Sequence, residues 1–118
     1  MSLKQALLIA KKNMVQDLPQ MAAVITDRKG NIVGWGMNSR KTDPLAKKYG
    51  KHPEALCLHA EIAAIKDALK EIEPWQFTSC TLYVARVLKD GTPALAKPCI
   101  GCRKAIVEFE IGNVEWTT

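Results

Sequence analysis

Two short stretches of this chain decide its fold: HAE at residues 59–61 and PCIGC at residues 98–102. Together they contain one imidazole, two thiols and one carboxylate. Three protein ligands leave the fourth position of a tetrahedral zinc ion to water, and the metal lowers the pKa of that water to about 7. The sequence therefore predicts a zinc site that activates water at neutral pH and has an acid–base group beside it.

The second stretch is typical of the start of a helix. Cys99 and Cys102 are one helical turn apart, so both sulfur atoms can point from one face toward a shared ion. Pro98 suits the first turn, because the N–H that proline lacks would have no helical partner there. The positive end of the helix dipole also favours thiolate over thiol at this place.

The first stretch must lie at a helix start as well. His59 and Glu61 are two residues apart, and in the middle of a helix that step points side chains nearly opposite ways. Apolar residues recur at steps of four and three until Pro74 ends the pattern: Leu58, Ile62, Ile65, Leu69 and Ile72. The pattern predicts two helix starts that meet at one ion, with Glu61 unliganded and able to transfer protons.

The order His-x-Glu and then Pro-Cys-x-x-Cys resembles the zinc-dependent cytidine and deoxycytidylate deaminase superfamily. The resemblance implies that His59, Cys99 and Cys102 bind Zn²⁺ and that Glu61 is the general acid and base. It also implies that zinc-bound hydroxide adds to C4 of cytosine or C6 of adenine. The expected reaction is hydrolytic deamination of a cytosine nucleoside or nucleotide, of the cytidine, deoxycytidine or deoxycytidylate type, with release of ammonia.

Three further residues are candidates around the pocket of such an enzyme. Asn38 is expected to bind a sugar hydroxyl, unless it only ends a strand, and Ala60 is expected to contact the substrate. Arg103 would either support a zinc-bound thiolate through a hydrogen bond or lie on the helix surface. The residues alone do not separate these roles.

The features that would identify the substrate disagree with one another. Free-nucleoside cytidine deaminases have Cys in place of His59, and an Asn-x-Glu pair where this chain has NSR at residues 38–40. The histidine resembles deoxycytidylate, tRNA-adenosine and polynucleotide cytosine deaminases, but these usually lack an insertion such as residues 87–97. A polynucleotide deaminase, acting on cytosine in single-stranded DNA or adenosine in tRNA, is therefore the alternative.

Charge leaves the same choice open. The net charge is +5, and basic residues crowd the segment before the first motif: Arg40, Lys41, Lys47, Lys48 and Lys51. They suit the phosphate of a nucleotide or the backbone of a nucleic acid, unless the segment is only a solvated loop. The expected substrate is a nucleoside or nucleotide, with nucleic acid as the alternative. The chain is also expected to form a homodimer or higher homo-oligomer, and no membrane partner is expected.

Periodicity and turn residues predict a three-layer α/β/α sandwich, similar to cytidine deaminases, with a mixed sheet of about four to five strands. Helices are expected at about residues 3–15, 56–72 and 99–109, and strands at 21–26, 32–37, 80–87 and 114–116. A hairpin-type loop joins the first two strands at residues 27–30. With 118 residues and a hydrophobic content of 47%, the chain is expected to be one domain over residues 1–118.

Cysteine usage leaves two alternatives to an enzyme site. Cys57 could occupy the fourth zinc position and close a structural site, although it is expected, like Cys80, to be a small buried residue. Zinc could also only stabilise a non-catalytic domain that binds nucleic acid or a partner. No secretory signal pattern opens the chain, so a cytoplasmic, reducing location is expected.

Overall fold

The computed structural model describes residues 2–12, 20–38, 59–88, 90–98 and 100–118. In these ranges the helices are α1 (Ser2–Lys12), α2 (Ala60–Ala68) and α3 (Ile100–Glu108), together with a 3₁₀ helix (Pro74–Ser79). The strands are β1 (Gln20–Thr26), β2 (Ile32–Met37), β3 (Thr81–Val87), β4 (Pro93–Ala94) and β5 (Asn113–Trp116). None of the helices in the described ranges is long and apolar enough to cross a membrane.

The strands form a mixed sheet in which β1 lies between β2 and β3, antiparallel to both. The other edge of β3 is shared by two strands. The short β4 pairs antiparallel with its end, where Arg86 is opposite Ala94, and β5 pairs parallel with its beginning, where Thr81 is opposite Asn113. The prediction of a mixed α/β sheet is therefore confirmed.

Helices cover both faces of the sheet, which confirms the predicted three layers. On one face, α1 packs through Ala6 and Ala10 against alternate residues of the central strands, such as Val24. On the other face, α2 and α3 pack against the residues between them, such as Ile25 and Leu82. Because both faces are buried, residues 22–26 of β1 are buried without alternation.

The packing of α2 against β2 brings the first motif onto the sheet. Two glycines of β2 permit the close contact: a Cβ atom added at Gly34 would lie 2.6 Å from the backbone nitrogen of Ala68 and 2.7 Å from the carbonyl oxygen of Ala64. At the same edge, the backbone N–H of Trp35 donates to Oδ2 of Asp67 at 3.1 Å. The helix that begins after His59 is thus held by backbone contact as well as by side chains.

We expect Gly34→Ala to reduce the free energy of unfolding by about 1–3 kcal/mol, because overpacked sites shift backbone or side chains at that cost. The obstructing atoms belong to the backbone of α2, so they cannot rotate away. Chemical denaturation measures the effect. Ile32→Val, at the exposed start of the same strand, is the control and should change stability by less than about 0.5 kcal/mol. Equal stability of the two variants would contradict the close packing.

The loop between β1 and β2 has the predicted hairpin chemistry. The side chain of Asp27 accepts hydrogen bonds from the backbone N–H groups of Asn31 and Lys29, both at 2.9 Å. These bonds lower the pKa of the Asp27 carboxyl, and the bond from the N–H of Asn31 has the larger effect. Gly30 supplies the positive φ of 87° that the turn requires.

The largest differences from the sequence-based expectations are one helix end and two elements that were not predicted. The helix predicted to reach residue 72 ends at Ala68, because Lys70 and Glu71 donate to carbonyls three residues back and tighten the chain into turns. Residues 56–58 and 13–15 of the predicted helices lie outside the described residues. The 3₁₀ helix and β4 were not predicted, since a six-residue helix and a two-residue strand carry too little periodicity to detect.

Candidate metal centre and active site

His59 lies at the start of α2, as the spacing of the first motif requires. It is the residue that precedes the helix, with extended backbone angles of −78° and 151°. Its carbonyl oxygen accepts the N–H of Ala63 at 3.0 Å, which is the first hydrogen bond of the helix. The backbone therefore leaves the helical path at this residue, and the constraint of mid-helix spacing does not apply to the pair His59 and Glu61.

Cys102 lies in the first turn of α3 and is only 2% exposed. Its Sγ atom is 3.3 Å from Nδ1 of His59, although the two residues are 43 positions apart in the sequence. A tetrahedral zinc ion with ordinary Zn–N and Zn–S bonds separates two such donor atoms by about 3.5 Å. The nitrogen and the sulfur are therefore spaced as two ligands of one zinc ion, with Nδ1 as the donor of His59.

The other predicted sulfur ligand, Cys99, lies outside the described residues, and so does the alternative ligand Cys57. Within the described ranges, no group of three His, Cys, Asp or Glu side chains is placed to hold a metal ion. The structure thus brings together two of the three predicted ligands. Assignment of Cys99 stays a prediction that follows from its place immediately before α3.

Glu61 is a carboxylate in the interior of the protein, in the first turn of α2, and is 2% exposed. The unpaired N–H groups at a helix start favour a negative charge at this place. Ala60, between His59 and Glu61, is also buried. A buried acid within two residues of a metal-ligand candidate is suited to proton transfer, because little water competes for its proton.

The remaining predicted site residues have different surroundings. Asn38 follows β2, is buried, and accepts the backbone N–H of Met21 through Oδ1 at 3.4 Å. This bond ties the end of β2 to the start of β1, so Asn38 has a structural contact, and its binding of sugar stays a prediction. Arg103 is exposed on α3, next to Cys102. Its support of a thiolate is likewise untested.

Sequence reasoning missed Thr117, a buried residue whose hydroxyl joins β3 to the segment before the second motif. A threonine near a short last strand carries no signal that distinguishes it from a surface residue. Only knowledge of which strands pair with β3 could have identified it. The sequence also does not reveal that Ala96, near the end of the insertion, is buried in the same core as Cys102.

A family model described as the cytidine and deoxycytidylate deaminase zinc-binding region matches residues 1–118. A tRNA-specific adenosine deaminase of Haemophilus influenzae is 28% identical over 103 residues. The alignment covers 86% of this chain and 46% of that protein. The chain therefore spans less than half the length of this relative.

Solved structures share the fold. The structure of a guanine deaminase from Bacillus subtilis superposes with a TM-score of 0.63 at 24% sequence identity, over 97% of this chain and 60% of that one. Acinetobacter baumannii RibD superposes with a TM-score of 0.53 at 21% identity, over 97% of this chain and 26% of that one. At these identities the likeness concerns the arrangement of helices and strands.

Proposed function

This chain belongs to the cytidine and deoxycytidylate deaminase family, and on that premise we propose that it is a zinc-dependent hydrolase that removes the exocyclic amino group of a nucleobase. The observation that carries the proposal is the 3.3 Å separation of His59 Nδ1 and Cys102 Sγ, with the buried carboxylate of Glu61 in the adjoining helical turn. A metal-ligand pair with a buried acid beside it is what hydrolytic deamination needs.

Each residue has a distinct task in this reaction. His59 would hold zinc through Nδ1, with its proton on Nε2, and Cys102 would hold it as a thiolate, with Cys99 as the third expected ligand. When bound, zinc supplies Lewis acidity that makes water a nucleophile at neutral pH. Glu61 accepts a proton from the water at a carboxylate oxygen and gives it to the ring nitrogen next to the reacting carbon. Glu61 then takes the proton of the hydroxyl group now bonded to the ring carbon and gives it to the amino group, which leaves as ammonia while that hydroxyl becomes the carbonyl of the product.

We propose a cytosine nucleoside or nucleotide as the substrate, with deoxycytidylate-type compounds preferred. The description of the family model names these compounds. The basic residues between positions 40 and 51, which lie outside the described residues, are suited to a phosphate group.

Adenosine in RNA is the second candidate substrate. The observation that favours it is the similarity to the tRNA-specific adenosine deaminase of Haemophilus influenzae. A polynucleotide substrate requires the target base to be single-stranded or turned out of its stack, and it would use the same basic residues for the backbone.

The two candidates differ in an assay of ammonia release by metal-replete protein. We expect turnover of deoxycytidylate or cytidine monophosphate, and no turnover of an oligonucleotide that contains the same base. Guanine and adenine compounds serve as matched controls in the same screen. Turnover of adenosine in tRNA alone would overturn the cytosine proposal and support the second candidate, whereas a protein inactive on all of these compounds would remove the enzymatic proposal.

We also propose that the protein forms a homodimer or higher homo-oligomer and that it is located in the cytoplasm. Several large apolar side chains are exposed in the described residues, including Trp35, Trp75 and Val107, and association would cover some of this surface. Sedimentation of the purified protein measures the oligomeric state. A monomer that persists at high concentration would contradict the assembly.

A further inference from the structure

Thr117 is a buried threonine that directly follows β5, and its side-chain oxygen takes part in two hydrogen bonds. The hydroxyl donates to the carbonyl oxygen of Ala94 at 2.6 Å. The same oxygen accepts the backbone N–H of Arg86 at 3.1 Å. One hydroxyl therefore joins two backbone segments, β3 and β4, at the place where β4 ends.

The backbone of Thr117 repeats this link. Its N–H donates to the carbonyl oxygen of Val84 at 3.1 Å, and its carbonyl oxygen accepts the N–H of Ala96 at 2.9 Å. With the two side-chain bonds, a single residue makes four hydrogen bonds, two to β3 and two to residues 94–96. Thr117 thus fastens the segment after β4 to the sheet, although that segment has no regular secondary structure beyond Ala94.

The fastened segment leads directly into the second metal-binding motif. Ala96 is 1% exposed and belongs to the same hydrophobic cluster as Ala60 and Cys102. Pro98 is buried, and α3 begins at Ile100. The chain thus runs from a residue bonded to Thr117, through a buried proline, to the predicted ligand Cys99 and the helical turn that carries Cys102.

From these contacts we infer that Thr117 is a positioning residue of the metal centre: it fixes residues 94–98 against β3 and thereby sets where the first turn of α3, which carries Cys102, lies relative to His59. The inference depends on metal binding at the proposed site, but not on which nucleobase is deaminated. Groups that hold ligands in place by hydrogen bonds contribute about 10- to 100-fold to metal affinity. Thr117 acts through the backbone rather than through a ligand side chain.

The test compares Thr117→Val, which has the same shape without the hydroxyl, with Thr117→Ser, which retains the hydroxyl. We expect the valine variant to bind zinc about tenfold more weakly in competition with a chelator, and the serine variant to bind within twofold of the unmodified protein. Thr117→Val should also alter the visible absorption of the Co²⁺-substituted protein, which reports the geometry of the ligands. The matched control is Thr78→Val, since the exposed hydroxyl of Thr78 donates to the carbonyl oxygen of Trp75 within the 3₁₀ helix.

A role in fold stability alone gives a different result. In that case Thr117→Val would lower the melting temperature of the metal-free protein, while zinc affinity and the Co²⁺ spectrum, both measured well below that temperature, would stay unchanged. That outcome overturns the inference. Failure of the positioning inference can be distinguished from failure of the proposed function. The latter would appear as normal metal binding without deamination in the unmodified protein.

A measurement on the unmodified protein covers the case in which the valine variant does not fold. If the bonds of Thr117 favour zinc binding, linkage requires zinc to stabilise those bonds by the same factor. We expect zinc to slow hydrogen exchange of the Ala96 and Arg86 amides about tenfold, by this reciprocity. Exchange of the Gly30 amide, which is bonded to Asp27 in the distant hairpin, should not change. Equal exchange of all three amides with and without zinc would overturn the inference.

Discussion

Glu61→Gln should lower kcat by about 10²- to 10⁴-fold, the contribution of a positioned acid–base group, while zinc content and melting temperature stay close to those of the unmodified protein. The amide has nearly the same shape as the carboxylate, so the buried space in the first turn of α2 remains filled. It cannot accept the proton from water, and that is the step at which the reaction should stop. Ammonia release under saturating substrate, with metal analysis of the same sample, measures both quantities.

Glu71→Gln provides the matched control for this prediction. Glu71 is an exposed acid in the turn after the same helix, and its replacement removes one negative charge without touching the buried site. We expect the kcat of Glu71→Gln to differ by less than about twofold from that of the unmodified protein, because surface substitutions typically change energies by only a few tenths of a kcal/mol. If Glu61→Gln retained full activity, Glu61 would not be the proton carrier. If neither the unmodified protein nor Glu71→Gln turned over any substrate, the non-catalytic zinc domain would become the better explanation.

Cys102→Ser should abolish both zinc binding at stoichiometric metal and deamination. A serine hydroxyl stays protonated at neutral pH and is a poor replacement for a thiolate at zinc. Loss of a ligand should therefore exceed the 10- to 100-fold effect that residues supporting the ligands have on affinity. Because metal binding and folding are coupled, the melting temperature measured with zinc should fall toward that of the metal-free protein. Titration with zinc in competition with a chelator, combined with thermal unfolding, measures these changes.

The control for this cysteine is Cys80→Ala. Cys80 is buried immediately before β3, and its Sγ donates to the carbonyl oxygen of Gln76 at 3.4 Å. Burial raises the pKa of the Cys80 thiol, and the charge of Asp27 acts in the same direction, so the side chain remains a neutral thiol that does not compete for zinc. We expect Cys80→Ala to retain one zinc per chain and to lose some stability only. Normal zinc binding by Cys102→Ser would show that the ion is held elsewhere.

Most of the fold could be predicted because it follows from local patterns. The strand at residues 32–37 was predicted with its observed bounds. The hairpin loop predicted at residues 27–30 extends over residues 27–31, so it was correct to within one residue, since alternation and turn residues act over a few positions. The predicted end of α2 was wrong, because the apolar spacing continues to Ile72 whereas the helix ends at Ala68. Leu69, expected on the buried face, is 37% exposed, which shows that periodicity does not mark where packing against the sheet stops.

The candidate site was predicted in part for the same reason. The motif spacing placed His59 and Cys102 at two helix starts, and both lie there. The spacing could not establish the burial of Glu61 or the contact of Asn38 with Met21. Those features depend on how α2 and β1 pack, and a sequence motif contains no information about its packing partners.

The sequence by itself predicted the candidate donor groups, and it determined the helix starts and the α/β class, because each depends on residue types and spacings within one or two turns of chain. Only the tertiary structure decided that Nδ1 of His59 and Sγ of Cys102 lie 3.3 Å apart and that Thr117 fastens the segment leading into α3. Contacts between residues far apart in sequence depend on strand order and helix packing. These are set by the burial of the whole core and not by any local stretch.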